Sequence, residues 1–308
     1  MKKLIVGVLV TLMLMLSCGC SSEEITPPVS VTPDKPAQTE PASKQTEAPT
    51  QATEPEVEDV TIEEIEIYNA NDIVVTATKI EEDWGDIGIG VTVKNGSSKN
   101  IVVSTGGLSV NGYMLEGSGL YCEVAAGKNA VDDISLYHYE LEQAGIETVA
   151  EVEFKLRVFD SDTFNDIDET DLIKLSTSAA DGFVQPVDDS GEEIYNAHDV
   201  RVVCKGLKSD VIWDGAVVFF FENNSGKGVS VYAENVSVND FMAEESLWVD
   251  LRAGTKAIEG MYMYDLSDLG IETIEDIEKI ELSIRVIDEE TWNDIDTSDP
   301  IVLEFAAE

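Results

Sequence analysis

Around Phe154 the chain alternates strictly between apolar and polar side chains. Val152, Phe154, Leu156 and Val158 are separated by Glu153, Lys155 and Arg157. Period two places the first set on one face of a strand and the second on the other, which predicts an antiparallel strand wetted on one side. About 128 positions later the pattern returns in Ile280, Leu282, Ile284 and Val286, with Glu281, Ser283 and Arg285 between them. Ile87, Ile89, Val91 and Val93 alternate too. Their counterpart, Ala216 to Phe221, is apolar throughout, so the outward face of that strand is expected to lie under a neighbour.

These echoes belong to one duplication. Residues 64 to 176 reappear near 193 to 304, most clearly where Arg157 to Asp168 (RVFDSDTFNDID) matches Arg285 to Asp296 (RVIDEETWNDID). Turn residues punctuate both copies. Asn95-Gly96-Ser97-Ser98 and Asn223-Asn224-Ser225-Gly226 supply residues that tolerate positive φ between two apolar runs, and Asn111-Gly112 and Asn239-Asp240 repeat the device. Ala126-Gly127 and Ala253-Gly254 mark another turn. One short helical piece is expected per copy, Leu141 to Ala144 before Gly145 and Leu266 to Leu269 before Gly270, each glycine standing as a C-terminal cap. About seven or eight strands per copy at this spacing suggest an all-β protein of two tandem antiparallel sandwiches.

Ahead of the repeats, Lys2 and Lys3 precede the uncharged run Leu4 to Leu16, which ends in Ser17-Cys18-Gly19-Cys20-Ser21-Ser22. A basic start, an apolar centre too short to span a bilayer and a small-residue cleavage site read as an export signal. The cysteines at that point predict lipidation at Cys18 or Cys20, with Cys18 favoured by the apolar residue three places before it. A diacylglyceryl group brings two chains, which stable anchoring requires. The organisation is therefore 1–20 signal peptide and lipobox, 21–60 stalk, 61–177 first repeat, 178–192 linker and 193–308 second repeat. The stalk is rich in Pro, Thr and Glu, holds Pro27, Pro28, Pro33, Pro36, Pro41, Pro49 and Pro55, and has no aromatic residue. It cannot bury enough surface to offset its ordering entropy.

Charge narrows the partners. With 62 acidic and 19 basic side chains the formal net charge is −43. Nucleic acid is excluded as a partner by the lack of any Lys/Arg cluster, and anionic lipid would repel the chain, so a covalent lipid is the expected hold on the membrane. Beyond the signal only Cys122 and Cys204 remain, aligned with Val249 and Ala77 of the other copy, which rules out a disulfide framework within a repeat and predicts two small, partly buried apolar residues, with a bridge between the modules as the alternative.

The Asn-x-Ser-x-Lys turn (Asn95, Ser97, Lys99), the Ser-Val-Asn stretch, the Ala-Gly turn and the Gly-Ile-Glu-Thr cap (Gly145 to Thr148, Gly270 to Thr273), behind a lipobox and stalk, resemble tandem immunoglobulin-like β-sandwich modules of Gram-positive cell-surface lipoproteins. The resemblance spans residues 61 to 308. It implies two immunoglobulin-like sandwiches, each with one short helix, on the extracytoplasmic face of the membrane. Its motifs are turns and caps, so it carries over no active site.

Candidate chemistry is sparse. His138 and His198 have no histidine counterparts, aligning with Asp265 or a gap and with Asn71, and no Cys/His pair has zinc-ligand spacing. The sharpest cluster is acidic: Asp160, Asp162, Asp166 and Asp168, repeated as Asp288, Glu290, Asp294 and Asp296. Hard oxygen ligands at that density suit Ca²⁺, although the EF-hand glycine and glutamate are absent. The competing reading makes each loop a strand connection in which Phe164 or Trp292 packs on the sandwich and Asn165 and Asp166 bind backbone amides. Tyr137, Tyr139, Tyr262 and Tyr264 fall in one corresponding region, with Trp248 opposite Tyr121 in the alignment, and suit either packing or a ligand platform. The expectation is a monomeric, non-enzymatic, cofactor-free protein that presents two modules to a protein or cell-wall component. A calcium-dependent binding module is the alternative, and a glycan-directed hydrolase with paired carboxylates in a groove is a third.

Overall fold

The computed structural model describes residues 60–208, 216–264 and 266–305. The signal segment with Cys18 and Cys20, and the stalk up to residue 59, lie outside them. The first copy runs β1 (Ile65–Ala70), β2 (Ile73–Asp83), β3 (Asp86–Asn95), β4 (Ile101–Val110), β5 (Tyr113–Met114), β6 (Tyr121–Val124), β7 (Asn129–Leu136), α1 (His138–Gln143), β8 (Glu151–Asp160), β9 (Asp166–Glu169) and β10 (Ile173–Ser176). The second runs β11 (Glu192–Ala197), β12 (Val200–Lys208), β13 (Ala216–Asn223), β14 (Val229–Val238), β15 (Phe241–Met242), β16 (Glu244–Ser246), β17 (Trp248–Leu251), β18 (Lys256–Tyr264), β19 (Lys279–Asp288), β20 (Asp294–Thr297) and β21 (Ile301–Glu304). More segments form than expected because the edge strands come in short pieces.

In each copy one sheet has the order β1-β2-β3-β7, or β11-β12-β13-β18. The facing sheet pairs β4 with β8, or β14 with β19, and the short pieces flank that pair. The order corresponds to A-B-E facing C′-C-F-G of the immunoglobulin sandwich, with an extra strand outside A and no D strand. Pairing registers superpose: Tyr121 lies opposite Ser104 as Trp248 lies opposite Tyr232, and Ile65 opposite Ala77 as Glu192 opposite Cys204. Cys122 and Cys204 thus occupy non-equivalent positions, and both are buried free thiols.

Local chemistry explains the turns. Asn111-Gly112 and Asn239-Asp240 take positive φ at both positions, and Gly145 and Gly270 close their helical turns in the left-handed region. The Asn95 and Asn223 turns work differently from the expectation, without positive φ. Asn95 is buried, its Oδ1 accepts from Ser97 N and Oγ, and its Nδ2 donates to the Lys99, Val124 and Ala125 carbonyls. Asn223 repeats every one of these bonds. The helix of the first copy begins at His138, ahead of the expected Leu141, because Asp86 at the start of β3 accepts from His138 N at 2.8 Å. In the second copy the equivalent Leu266–Leu269 is a single 3-10 turn.

Both sheets of each copy contribute to its core. The first core does not stop at its own repeat. Val203, Val218, Phe220 and Ile258, on the outward face of β12, β13 and β18, are buried with it. The doubly apolar run Val217 to Phe221 therefore has its expected cover, and the cover is the first copy. A single parallel bridge, Lys256 N donating to Gly112 O at 2.9 Å, joins β5 to β18 and makes one sheet run through both copies. Gln143 of α1 donates to Ile258 O, and the Arg252 guanidinium reaches Ser109 Oγ and Glu153. The linker is pinned at both ends: Gln185 bonds Asn111 and Gly145 O, while Asp188 and Asp189 pair with Lys205 and Arg201.

Candidate functional site

The acidic loops spend their carboxylates locally. Asp160 Oδ1 accepts from the N–H groups of Asp162 and Thr163, and Asp288 Oδ1 accepts from Thr291 N and Oγ1. The Lys227 ammonium, with the Thr291 donors, holds the Asp288 carboxyl down at about 2. Asp162 accepts from Asn100, while Asp166 and Asp294 pair with Arg157 and Arg285. Asp168 accepts from the Tyr68 hydroxyl at 2.9 Å and Asn71 at 3.1 Å, and Asp296 meets Tyr195 at 3.0 Å and His198 at 3.7 Å. Each Tyr–Asp bond ties the edge strand of one sheet, β1 or β11, to a short strand of the other, β9 or β20. Glu290 faces solvent. Among the described residues no three acidic, His or Cys side chains converge to hold a metal ion, in these loops or elsewhere. The amide-binding role expected of Asn165 and Asp166 belongs to Asp160 and Asp288.

The ring at the centre of each loop stands out rather than packing inward. Phe164 and Trp292 both take φ +58°, and are 70% and 66% exposed. They top matching aromatic strips on the solvent face of the β4–β8 and β14–β19 sheets. In the first copy Phe164 stacks on Phe159 at 6.4 Å, Tyr121 meets Phe159 edge-on, and Arg157 lies 4.9 Å over the Phe159 ring. In the second, Trp292 lies 6.0 Å from Trp248, Trp248 stacks on Tyr232 at 4.9 Å, and Arg285 covers Tyr232 at 5.3 Å. Trp248 Nε1 donates to Asp250, which fixes its ring. The alignment of Trp248 with Tyr121 pointed to this strip. Phe159 and Tyr232 were missed, because each lies on the polar face of a strand where the alternation offers no reason to single it out.

A second feature lies between the copies. A cavity of about 630 Å³ is lined by Glu116, Gly117, Tyr139, Glu140 and Gln143 of the first copy and by Lys208, Glu259 and Tyr262 of the second. The corresponding tyrosine regions of the two repeats thus meet in one place. A Cβ at Gly117 would stand 2.6 Å from the Tyr139 hydroxyl, so any side chain there would have to displace that ring from the cavity wall. Its N–H and the Ser118 hydroxyl donate to the buried Glu140 carboxylate. Asp250 N donates to Glu116 Oε1 at 3.4 Å. Burial, with the charges of Glu116 and Glu140 beside it, pushes the Glu259 carboxyl up to about 8. Burial, offset by the Asp250 N–H and reinforced by the Asp250 and Glu140 charges, raises Glu116 to about 7, although its side chain keeps contact with solvent. Neither histidine lines this cavity: His138 Nδ1 pairs with Asp86 at 2.9 Å, and His198 belongs to the Asp296 clasp.

No protein-family model matches the chain, and no curated protein matches it in sequence. Among the described residues no helix is long and apolar enough to cross a membrane.

Proposed function

We propose that the protein is a non-enzymatic, lipid-anchored surface protein that presents its two aromatic strips to a protein or cell-wall component outside the membrane. The observation that carries this reading is the pair of hairpin tips. A bulky aromatic residue in the left-handed region costs on the order of 1 kcal/mol that glycine would avoid. Both copies bear that cost, at equivalent positions, and both use it to hold a ring in solvent beside other rings and an arginine. Flat aromatic surface with fixed polar neighbours suits contact with a sugar face or a protein side chain.

The test measures retention of the full chain on purified cell-wall fragments and on immobilised secreted proteins. Trp292→Gly with Phe164→Gly is expected to weaken retention at least tenfold while the thermal midpoint stays level or rises, since glycine relieves the backbone. Unchanged retention in that double variant would refute the role given to the strips.

A further inference from the structure

We propose that the cavity between the two copies binds an organic ammonium ligand carrying two or more amino groups, of the polyamine class. This site is separate from the aromatic strips, and its test does not depend on them.

The cavity's volume, about 630 Å³, lies in the range of small-molecule sites. Its wall carries an unbalanced charge: Glu116, Glu140, Glu142 and Glu259 line it, and among the described lining residues Lys208 is the single cation. These carboxylates are not equally committed. Glu140 already accepts from the Gly117 N–H and the Ser118 hydroxyl. Glu259 has only the Gly260 N–H as donor, so most of its acceptor capacity is left toward the cavity. Glu116 and Glu259 neighbour one another with one backbone donor each, the Asp250 and Gly260 N–H groups, so ionising both is costly and a bound cation lowers that cost.

The geometry also chooses the kind of cation. No three acidic groups among the described residues come close enough to ligate one metal ion. Charges spread around a roomy cavity match a ligand whose own charges are separated by methylene links. The Tyr139 and Tyr262 rings complete the match, because an ammonium group is attracted to an aromatic face while the methylenes pack against it. The raised pKa values of Glu116 and Glu259 agree, since an ammonium ligand would draw both groups toward ionisation and expel protons at neutral pH.

The probe is spermidine, titrated calorimetrically into the full chain at pH 8 and pH 6, in two buffers of different ionisation heat. The groups that face Glu259 and titrate or carry charge in this range are Glu116, Glu140 and Lys208, with Asp250 beyond Glu116 and the Tyr139 and Tyr262 hydroxyls staying neutral. We expect saturable binding with one site, proton release, and affinity at least tenfold weaker at pH 6. Glu259→Gln and Glu116→Gln, which keep side-chain shape, are each expected to weaken it at least tenfold, whereas Glu281→Gln, outside the cavity, leaves it unchanged. Having two glutamine variants makes the outcome independent of either one's folding, which the thermal midpoint checks. Absence of saturable heat up to millimolar spermidine, equal affinity in both glutamine variants and the native chain, or equal competition by Mg²⁺ would each overturn the proposal.

Discussion

Glu259 shows how one residue ties site chemistry to stability. Its carboxyl group rises from an ordinary value near 4.5 to about 8 on folding, chiefly through burial. The fold therefore favours the protonated form, and the resulting stabilisation is complete at low pH and is lost as pH climbs from the unfolded value through the folded one. Glu259→Gln is expected to leave the thermal midpoint unchanged at pH 4.5 and to raise it at pH 8.5, by about 1–3 kcal/mol in unfolding free energy. Calorimetric scans of the two proteins at both pH values check this, and a variant no more stable at pH 8.5 would refute the burial. Little at this scale was legible beforehand. Leu115-Glu116-Gly117 and Ile258-Glu259-Gly260 are unremarkable tripeptides, and only the meeting of two repeats makes a charged cavity of them. The acidic loops were legible as clusters but not as clasps, since the partners of Asp168 and Asp296 are tyrosines about a hundred positions away.

At the scale of elements, strand β13 was the most informative segment. A strand with one wetted face alternates, so Val217 to Phe221, apolar on both faces, had to be covered twice. The structure supplies the second cover, with Phe220 wholly buried against the first copy. Phe220→Ala is expected to cost about 3–5 kcal/mol and to split one cooperative unfolding transition into two, because it cuts the coupling between copies more than either core. Scanning calorimetry reads both effects, and a single unbroken transition would show that the bridge at Lys256 and the Arg252 contacts suffice. Strand periodicity survived because each sheet keeps one dry face. The start of α1 did not, since its cap is supplied by Asp86, 52 residues earlier.

For the whole molecule, the net charge of −43 means that the protein and an anionic bilayer repel one another. The hold on the membrane that we propose is therefore acylation, and we expect labelled palmitate to enter the native chain and to be lost from a Cys18→Ser, Cys20→Ser double variant. A native chain that stays unlabelled while it is exported would refute the anchor. The repeat was the most legible feature at this scale. Its two-fold sequence echo translates directly into superposable registers, whereas the contact between copies arises from the faces on which they differ. That difference has a hereditary side. With Val203, Val218, Phe220 and Ile258 shielded only by its sister, the C-terminal repeat would turn an oily flank to water if a recombination event carried it off alone. Selection should accordingly pass the two repeats on as an inseparable pair, and a shuffled descendant bearing just the second would need polar replacements at those four sites to remain soluble.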